Sequence, residues 1–530
     1  MKKHISKLAA LMLLGCSASY AALVSVPAGD LTGNTTWSAS NEYILEGIVY
    51  VKNGTLTIPA GTIIRGQPRT NSGTYNPGTL VITTSAKINA VGTATNPIVF
   101  TTAALAGTGG VPKDTDADGY FDRATHNGTS VTNGTFLDSD PKNAPLTPTS
   151  ATTYLNAQFN ATTPTNILAA LSGGIIILGD APTNRANTVS IGEGLFAEGE
   201  GYIEGLAENA DTAFGGIYPL DNSGKLSYVS IRHGGAKLSD ANEINGLTLG
   251  GVGSGTQIDH IDVYVNFDDG IEIFGGTVNL SYLNINFCED DGFDVDQGWT
   301  GGAQFLFVLQ HPSFGDSLLE ADGNDEDPSN GSATATKVTT NHRPYAYSVI
   351  SNGTWVGRGA GVKTGLRMRA GFGGEVLNNV IIQANQGVKI DDVASAGESE
   401  SDDARTRAVI GELVFTNNTL FGNTTNSQSF TEDSITWDST TTAYSNKTTN
   451  PGFKPFSVTT ASGVNPVGLQ TGMSGAVGSF TTIAALPNNP AFVATTYRGA
   501  FSTSKTTDLW TNSWTALNKR GVLVSKGNQE

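Results

Sequence analysis

Cysteine is nearly absent from this chain, which has only Cys16 and Cys288 in 530 residues. Cys16 lies in the N-terminal leader described below, so a mature chain has at most one thiol and no intramolecular disulfide. A disulfide scaffold is therefore excluded, and packing, hydrogen-bonded ladders or metal ions must stabilise the fold. No histidine stands near Cys288 in the sequence to activate it, so we predict a buried structural thiol.

Charged residues are also scarce, at 15% of the chain, and basic ones are the scarcer kind: 30 Lys and Arg stand against 48 Asp and Glu. So little charge argues against a disordered chain and against a coiled coil. The net charge of −18 disfavours nucleic acids and anionic membranes, which bind proteins through an excess of basic side chains. We expect a monomer with no nucleic-acid partner.

Long apolar runs are missing after the N-terminus, and we therefore predict no transmembrane span. The first residues are basic and precede the short apolar run Leu8–Leu14, which is typical of a secretory signal spanning residues 1–21. Cleavage after Ala21 is the favoured interpretation. The alternative is a lipobox that ends at Cys16 and anchors the protein through a lipid. Both predict export to the extracellular space or the outer cell surface.

Glycine, in contrast, is abundant, with 65 residues, and it punctuates an internal repeat. The repeated segments alternate apolar and polar residues with a period of two, which is typical of short strands. Three segments recur at a spacing of 22 residues: Ile258–Val263 as Leu280–Ile285, Asp268–Ile273 as Asp290–Val295, and Gly365–Met368 as Gly387–Ile390.

A repeat of this length cannot bury its own apolar face, so successive repeats must stack. We predict an all-β fold, a parallel β-helix with coils of about 22 residues and long loop insertions. A β-sandwich would also have short strands, but it would lack this in-register recurrence. The residues predicted to point inward are Ile258, Ile261, Val263, Ile271, Ile273, Leu283, Ile285, Phe293 and Val295.

The composition changes along the chain and predicts its division. Following the signal we expect N-terminal coils at 22–102, an Asp-, Thr- and Asn-rich insertion at 103–166, central coils at 167–424, and a C-terminal peripheral region and cap at 425–530. A smaller insertion is predicted at 315–342.

Several segments resemble a known family of proteins. They are Gly173–Arg185, Asn245–Gly251, Asp269–Asn279, Tyr497–Phe501 and Trp510–Trp514. Together they resemble exported bacterial right-handed parallel β-helix proteins of the pectate-lyase-like fold, over about residues 40 to 525. The resemblance implies the fold but little about function, because most such proteins have no assigned activity.

The insertion contains a compact calcium-type motif. Its potential ligands are Asp114, Asp116, Asp118, the carbonyl of Tyr120, and Asp122. Carboxylates at the first, third and fifth positions and Gly119 at the sixth bend a loop so that oxygens converge on one hard cation. The twelfth position holds Thr125 instead of Glu, and Asp138 or Asp140 are candidate replacements. We expect calcium to hold this insertion in place.

A second group of carboxylates follows from the repeat. Stacked coils place Asp268 beside Asp290, Asp269 beside Asp291, and Glu272 beside Asp294, each about 4.8 Å apart. Like charges this close repel each other unless a cation or hydrogen-bond donors intervene. Turn architecture, with or without bound calcium, is the favoured interpretation of this group.

The repeat also stacks Arg367 and Lys389, which leaves two functions open. The favoured one is a calcium-stabilised secreted or cell-surface protein that binds a glycan or other cell-surface material without catalysis. The alternative is a lyase or hydrolase of an acidic polysaccharide, in which Lys389 is an easier base than Arg367 because its pKa can be depressed. Trp299 and Trp355 are candidate sugar-stacking platforms, although packing is the preferred role for both.

Overall fold

We describe the fold from a computed structural model of the chain. It describes residues 21–68, 76–105, 107, 113, 135–138, 168–184, 201–203, 206–238, 243–310, 315–323, 344–357, 363–390, 404–427, 445–449, 458–459, 463–464, 484, 486, 491–501 and 509–519.

Short strands make up nearly all the regular structure of these residues. The strands are β1 (Ala22–Val26), β2 (Gly29–Thr32), β3 (Thr35–Thr36), β4 (Asn41–Leu45), β5 (Ile48–Lys52), β6 (Thr55–Pro59), β7 (Ile63–Gly66), β8 (Thr79–Ile82), β9 (Lys87–Val91), β10 (Ile98–Thr102), β11 (Ile175–Leu178), β12 (Gly201–Tyr202), β13 (Ala213–Phe214), β14 (Gly224–Arg232), β15 (Leu247–Gly250), β16 (Gln257–Asn266), β17 (Ile271–Phe274), β18 (Asn279–Cys288), β19 (Phe293–Asp296), β20 (Gly302–Leu309), β21 (Ser317–Asp322), β22 (Tyr347–Ser351), β23 (Thr354–Val356), β24 (Thr364–Arg369), β25 (Gly373–Leu377), β26 (Val380–Ile382), β27 (Gln386–Ile390), β28 (Leu413–Thr416), β29 (Thr419–Phe421), β30 (Thr425–Ser427), β31 (Val458–Thr459) and β32 (Gly463–Val464). Two short helices accompany them: α1 (Ala404–Ile410) and α2 (Ala516–Lys519).

The strands form two long parallel sheets that wind into a right-handed parallel β-helix, as predicted. The shorter sheet has 11 strands and runs from β2 to β30 through β15, β17, β19, β21, β24 and β27. The longer sheet has 17 strands and includes β14, β16, β18 and β20. The predicted register is confirmed, because Ile271 pairs with Phe293 and Ile258 pairs with Leu280, each 22 residues apart.

The interior of the coils is apolar, and all nine predicted inward residues are at most 2% exposed. Cys288 is buried among them, as predicted. Trp299 and Trp355 are 1% and 0% exposed, so they pack in the core and offer no face to a sugar. Stacking of successive coils therefore buries the apolar half of each strand, which is the main stabilising contribution in such a repeat.

The Asp-Asp-Gly turns of the repeat are fixed by close packing. A Cβ on Gly270 would lie 2.3 Å from Cγ2 of Ile285 and 2.6 Å from the carbonyl oxygen of Gly292 on the next coil. Glycine is therefore required immediately after Asp269, and the same constraint recurs one coil later after Asp291. The close contact with the next coil thus fixes the position of each turn, and its carboxylates lie at the edge of the shorter sheet.

The coils extend further along the chain than the sequence predicted. Ser317–Asp322 was expected in an insertion, but it pairs with β19 and β24, with Leu319 and Ala321 facing inward. Glu320 follows its strand partner Asp294 by 26 residues and precedes Arg367 by 47, so this strand departs from the 22-residue spacing, which is why it was missed. Thr425–Ser427 continues the shorter sheet beyond residue 424. Among the described residues, no helix is long and apolar enough to cross a membrane.

The longer sheet bends at a column of aromatic residues that we call the aromatic column: Tyr228, His260, Tyr282 and Phe305. Their φ angles are 51°, 53°, 60° and 63°, and neighbouring ring centroids lie 4.1, 4.4 and 4.8 Å apart. Positive φ is unfavourable for bulky residues, so their stacking must support this bend in each strand.

A C-terminal strap, residues 497–501 and 509–519, lies across this column. Trp514 packs edge-on against Tyr228 and His260, at centroid distances of 5.3 and 6.0 Å. At one end Arg498, 1% exposed, donates to the carbonyl of Asn418 at 2.7 Å. At the other end the amide of Ala516 donates to Oδ2 of the fully buried Asp262 at 2.8 Å. The strap therefore connects coils that are not neighbours.

Candidate metal centre

The outer face of the shorter sheet between β15 and β27, which we call the acidic face, has a continuous column of polar residues. Each member is the strand partner of the next: Thr248, Glu272, Asp294, Glu320, Arg367 and Lys389. Three acidic residues therefore stand in successive coils and are followed by two basic ones. Four of the six, Glu272, Asp294, Arg367 and Lys389, were predicted from the sequence, whereas Thr248 and Glu320 were not.

The turns that lead into β17, β19 and β21 add further carboxylates beside this column. Three groups each have ligand oxygens within 4.8 Å of one another: Asp268, Asp269 and Asp290; Asp269, Glu272 and Asp294; and Asp290, Asp291 and Asp316. We call these seven residues the carboxylate cluster. All five aspartates predicted for the second metal group belong to it, and the structure adds Glu272 and Asp316.

Backbone and amide donors satisfy part of the carboxylate cluster. The amide of Asp291 donates to Oδ1 of Asp269 at 2.8 Å, and the amide of Ser317 donates to Oδ1 of Asp291. The side-chain amide of Asn245 donates to Glu272. These bonds run from one coil to the next, so the turn role expected for these aspartates is present.

These donors do not satisfy every carboxylate oxygen of the cluster, and they do not remove the repulsion between its charges. Oδ1 of Asp294 is buried and has no hydrogen-bond partner among the described residues. Burial raises the pKa of Asp269 and Asp291 well above the usual range, and Asp268 and Glu320 respectively raise it further. The pKa of Asp294 is raised in the same way, by burial first and by Glu272 second. A buried group of like charges without a counterion is unfavourable, so these residues must bind either protons or a cation.

The residues present fit a hard divalent cation. Carboxylate oxygens are the ligands that calcium prefers, and neutral nitrogen or thiolate ligands are missing from the three groups. The buried Oδ1 of Asp294 is the kind of orphaned acceptor that such an ion satisfies. If calcium binds here, Asp269 and Asp290 would each be shared between two neighbouring groups.

The basic end of the column is engaged in ion pairs. Nη1 of Arg367 lies 2.5 Å from Oε1 of Glu320, and Arg369 contacts Glu320 at 3.0 Å and Asp322 at 2.5 Å. An adjacent carboxylate stabilises a charged guanidinium, which opposes a role for Arg367 as a base. Lys389 pairs in register with Arg367, as predicted.

The other predicted calcium ligands, Asp114, Asp116, Asp118, Tyr120 and Asp122, lie outside the described residues. Asp138, the suggested replacement ligand, is described. It is 7% exposed, accepts from Thr101 at 3.0 Å, and lies 3.4 Å from Nη1 of Arg232. Its carboxylate therefore holds residues 135–138 against the longer sheet. Asp140, the other suggested replacement, lies outside the described residues, and a role of either residue as a calcium ligand stays a prediction.

Comparison with known families matches this chain to the pectate-lyase-like β-helix domain over residues 29–111 and 162–457. The chain belongs to this family. The matched residues include the whole carboxylate cluster, Arg367 and Lys389. Comparison with curated proteins and with solved structures gave no match.

Proposed function

We propose that this protein is an exported β-helix protein that binds calcium at the carboxylate cluster and, through it, an acidic glycan, without catalysing a reaction. The observation that carries the proposal is the carboxylate cluster, in which the ligand oxygens of each of its three groups lie within 4.8 Å of one another. Three residues of the cluster, Asp269, Asp291 and Asp294, have pKa values well above the usual range. Calcium would relieve their repulsion and leave coordination positions for ligand oxygens.

Two further features support a glycan as the ligand. The basic end of the acidic face, at Arg367 and Arg369, lies one strand from the outward carboxylates Glu320 and Asp322. The two arginine side chains are 24% and 25% exposed, so they can also contact acidic groups of a polymer that calcium alone leaves unpaired. The column spans several coils in a straight line, which matches an extended polymer. Family membership adds a fold common in polysaccharide recognition, although function is decided by the site.

Calorimetric titration of the full-length protein with calcium tests the metal site. Asp294→Asn should remove binding at the cluster, whereas Asp116→Asn should remove only a site in the insertion. Polygalacturonate should then bind to the wild type in calcium and fail to bind in chelator. A double variant Asp269→Asn/Asp294→Asn that binds as many calcium ions as the wild type would contradict the assignment.

A calcium-dependent lyase is the second candidate, favoured by the pairing of Lys389 with Arg367 beside the acids. A lyase would need Lys389 to abstract a proton from a uronate while calcium neutralises the carboxylate. Absorbance from unsaturated products after incubation with pectin, polygalacturonate and alginate detects this activity. Lys389→Ala should abolish it and Arg367→Lys should weaken it, whereas equal rates in wild type and Lys389→Ala would exclude this base.

A further inference from the structure

An exposed apolar loop lies next to the acidic face. Its side chains Ile217, Tyr218 and Leu220 are 49%, 63% and 78% exposed. Three large apolar side chains exposed within four residues differ from the singly scattered apolar residues of an ordinary protein surface. We call residues 217–220 the apolar loop.

The loop is held rigidly in place. The amide of Tyr218 donates to the carbonyl of Asp180 at 2.9 Å, and the carbonyl of Pro219 accepts from the amide of Ser254 at 3.0 Å and from Oγ1 of Thr277 at 2.5 Å. The amide of Asp221 closes the loop onto the carbonyl of Tyr218 at 2.8 Å. The apolar side chains are therefore presented in one fixed arrangement, which lowers the entropy cost of binding a ligand.

The loop continues from the acidic face. Phe274 follows Glu272 by two residues on β17 and faces the same side, about 7 Å further along the strand. Its ring packs against Phe214 at a centroid distance of 6.0 Å, and Phe214 precedes the apolar loop by three residues. Phe274 and Phe214 therefore connect the end of β17 that follows Glu272 with the segment that leads into the apolar loop.

A carboxylate beside the loop can accept hydrogen bonds from a ligand. The side chain of Asp180 accepts no hydrogen bond from any described residue, and burial followed by the charge of Asp221 raises its pKa. Oδ2 of Asp221 accepts one bond, from Oγ of Ser223 at 3.2 Å. A ligand with hydroxyl donors and an apolar face suits this pair of acids and the exposed ring.

We propose that the apolar loop is a sugar-stacking platform, in which Tyr218 covers the apolar face of a sugar ring whose hydroxyls donate to Asp180 and Asp221. The platform rests on the proposed function, since it extends the same glycan site, and it names the part of the ligand that calcium does not hold. A lipid surface does not fit, because carboxylates flank the ring and the chain has a net charge of −18.

The test measures binding of full-length variants to polygalacturonate in calcium, with calcium binding followed separately by calorimetry. Tyr218→Ala should weaken glycan binding about tenfold and leave calcium binding unchanged, and Tyr218→Phe should restore most of the affinity. Tyr347→Ala is the matched control, because this tyrosine is also exposed, at 43%, but lies on the longer sheet.

The outcomes separate the two proposals. Wild-type affinity in Tyr218→Ala would overturn the platform and leave the calcium site standing. Binding of neutral oligosaccharides in chelator, lost in Tyr218→Ala, would support the platform while the proposed function fails. Concentration-dependent dimers in sedimentation that Leu220→Asp dissolves would overturn the platform by showing that a second copy occupies the loop. Absence of binding to every acidic and neutral glycan tested would overturn both.

Discussion

The register of the parallel strands stacks aromatic rings on one outer face of the β-helix and carboxylates on the other. On the longer sheet, Tyr228 and His260 lie 4.1 Å apart and are covered by the C-terminal strap. On the shorter sheet, Glu272 and Asp294 are strand partners, so their carboxylates stack from one coil to the next as the rings do. Stacking alike residues stabilises rings, because their faces attract and exclude water, and destabilises carboxylates, because their charges repel.

The difference shows which face has its counterpart within the chain. The aromatic column is completed by Trp514 and Trp510, which pack edge-on against its rings. The buried Asp262 beside the column is likewise satisfied by Ser230, Asn284 and the amide of Ala516. The acidic face retains a buried oxygen on Asp294 that has no partner among the described residues, and a bound cation would satisfy it.

The largest expected effect is on the covered face. Trp514→Ala should reduce the free energy of unfolding by about 3–5 kcal/mol, because it empties a fully buried site. The strap connects β16 to β29, so its loss should also let the C-terminal coils unfold separately. Urea unfolding should change from one transition to two, equally in calcium and in chelator. Val493→Ala, at a 52% exposed position just before the strap, should leave the curve unchanged.

An Asp→Asn substitution should lower the free energy of unfolding on the aromatic face and raise it on the acidic face. Asp262→Asn keeps one oxygen and places an amide donor against one of the two donors, Asn284 or Ala516, so it should cost about 1–3 kcal/mol of stability. Asp294→Asn removes one charge from the cluster and should stabilise the calcium-free protein by a similar amount. Thermal unfolding in chelator measures both, and destabilisation by Asp294→Asn would contradict the repulsion argument.

The sequence predicted the parts of both faces that recur every 22 residues. It placed Glu272 beside Asp294 and Arg367 beside Lys389, since inward and outward positions follow directly from the period. It missed Glu320 because 47 residues separate this strand position from its partner Arg367, which breaks the period. The contact between Ala516 and Asp262 spans 254 residues and has no periodic signal at all.

Acidification should distinguish the calcium-free acidic face from the rest of the protein. The pKa values of Asp269, Asp291 and Asp294 are raised in the folded state, so folding takes up protons and the repulsion is fully present above those values. In chelator, stability should therefore rise as the pH falls from the raised values toward the ordinary carboxyl range near about 4.

Urea midpoints at a series of pH values measure this slope. Burial also raises the pKa of Asp262, so the contribution of the acidic face is the part of the slope that Asp294→Asn removes. Saturating calcium should reverse the slope over the same range, because protons then compete with the ion. If Asp294→Asn left the slope unchanged, the pH dependence of stability would come from groups outside the acidic face.

The smallest expected effect concerns the basic end of the acidic face. Arg367 is an ion-pair partner of Glu320, which in turn is the strand partner of Asp294. Arg367→Gln should raise calcium affinity about threefold, because it removes a positive charge near the ion, an effect that solvent damps at a side chain that is 24% exposed. Calorimetry measures the change, and Lys225→Gln, the same charge change on the longer sheet, is the matched control. Equal affinities in Arg367→Gln and the wild type would show that the ion lies beyond the influence of Arg367 and would confine calcium to the turns before β17 and β19.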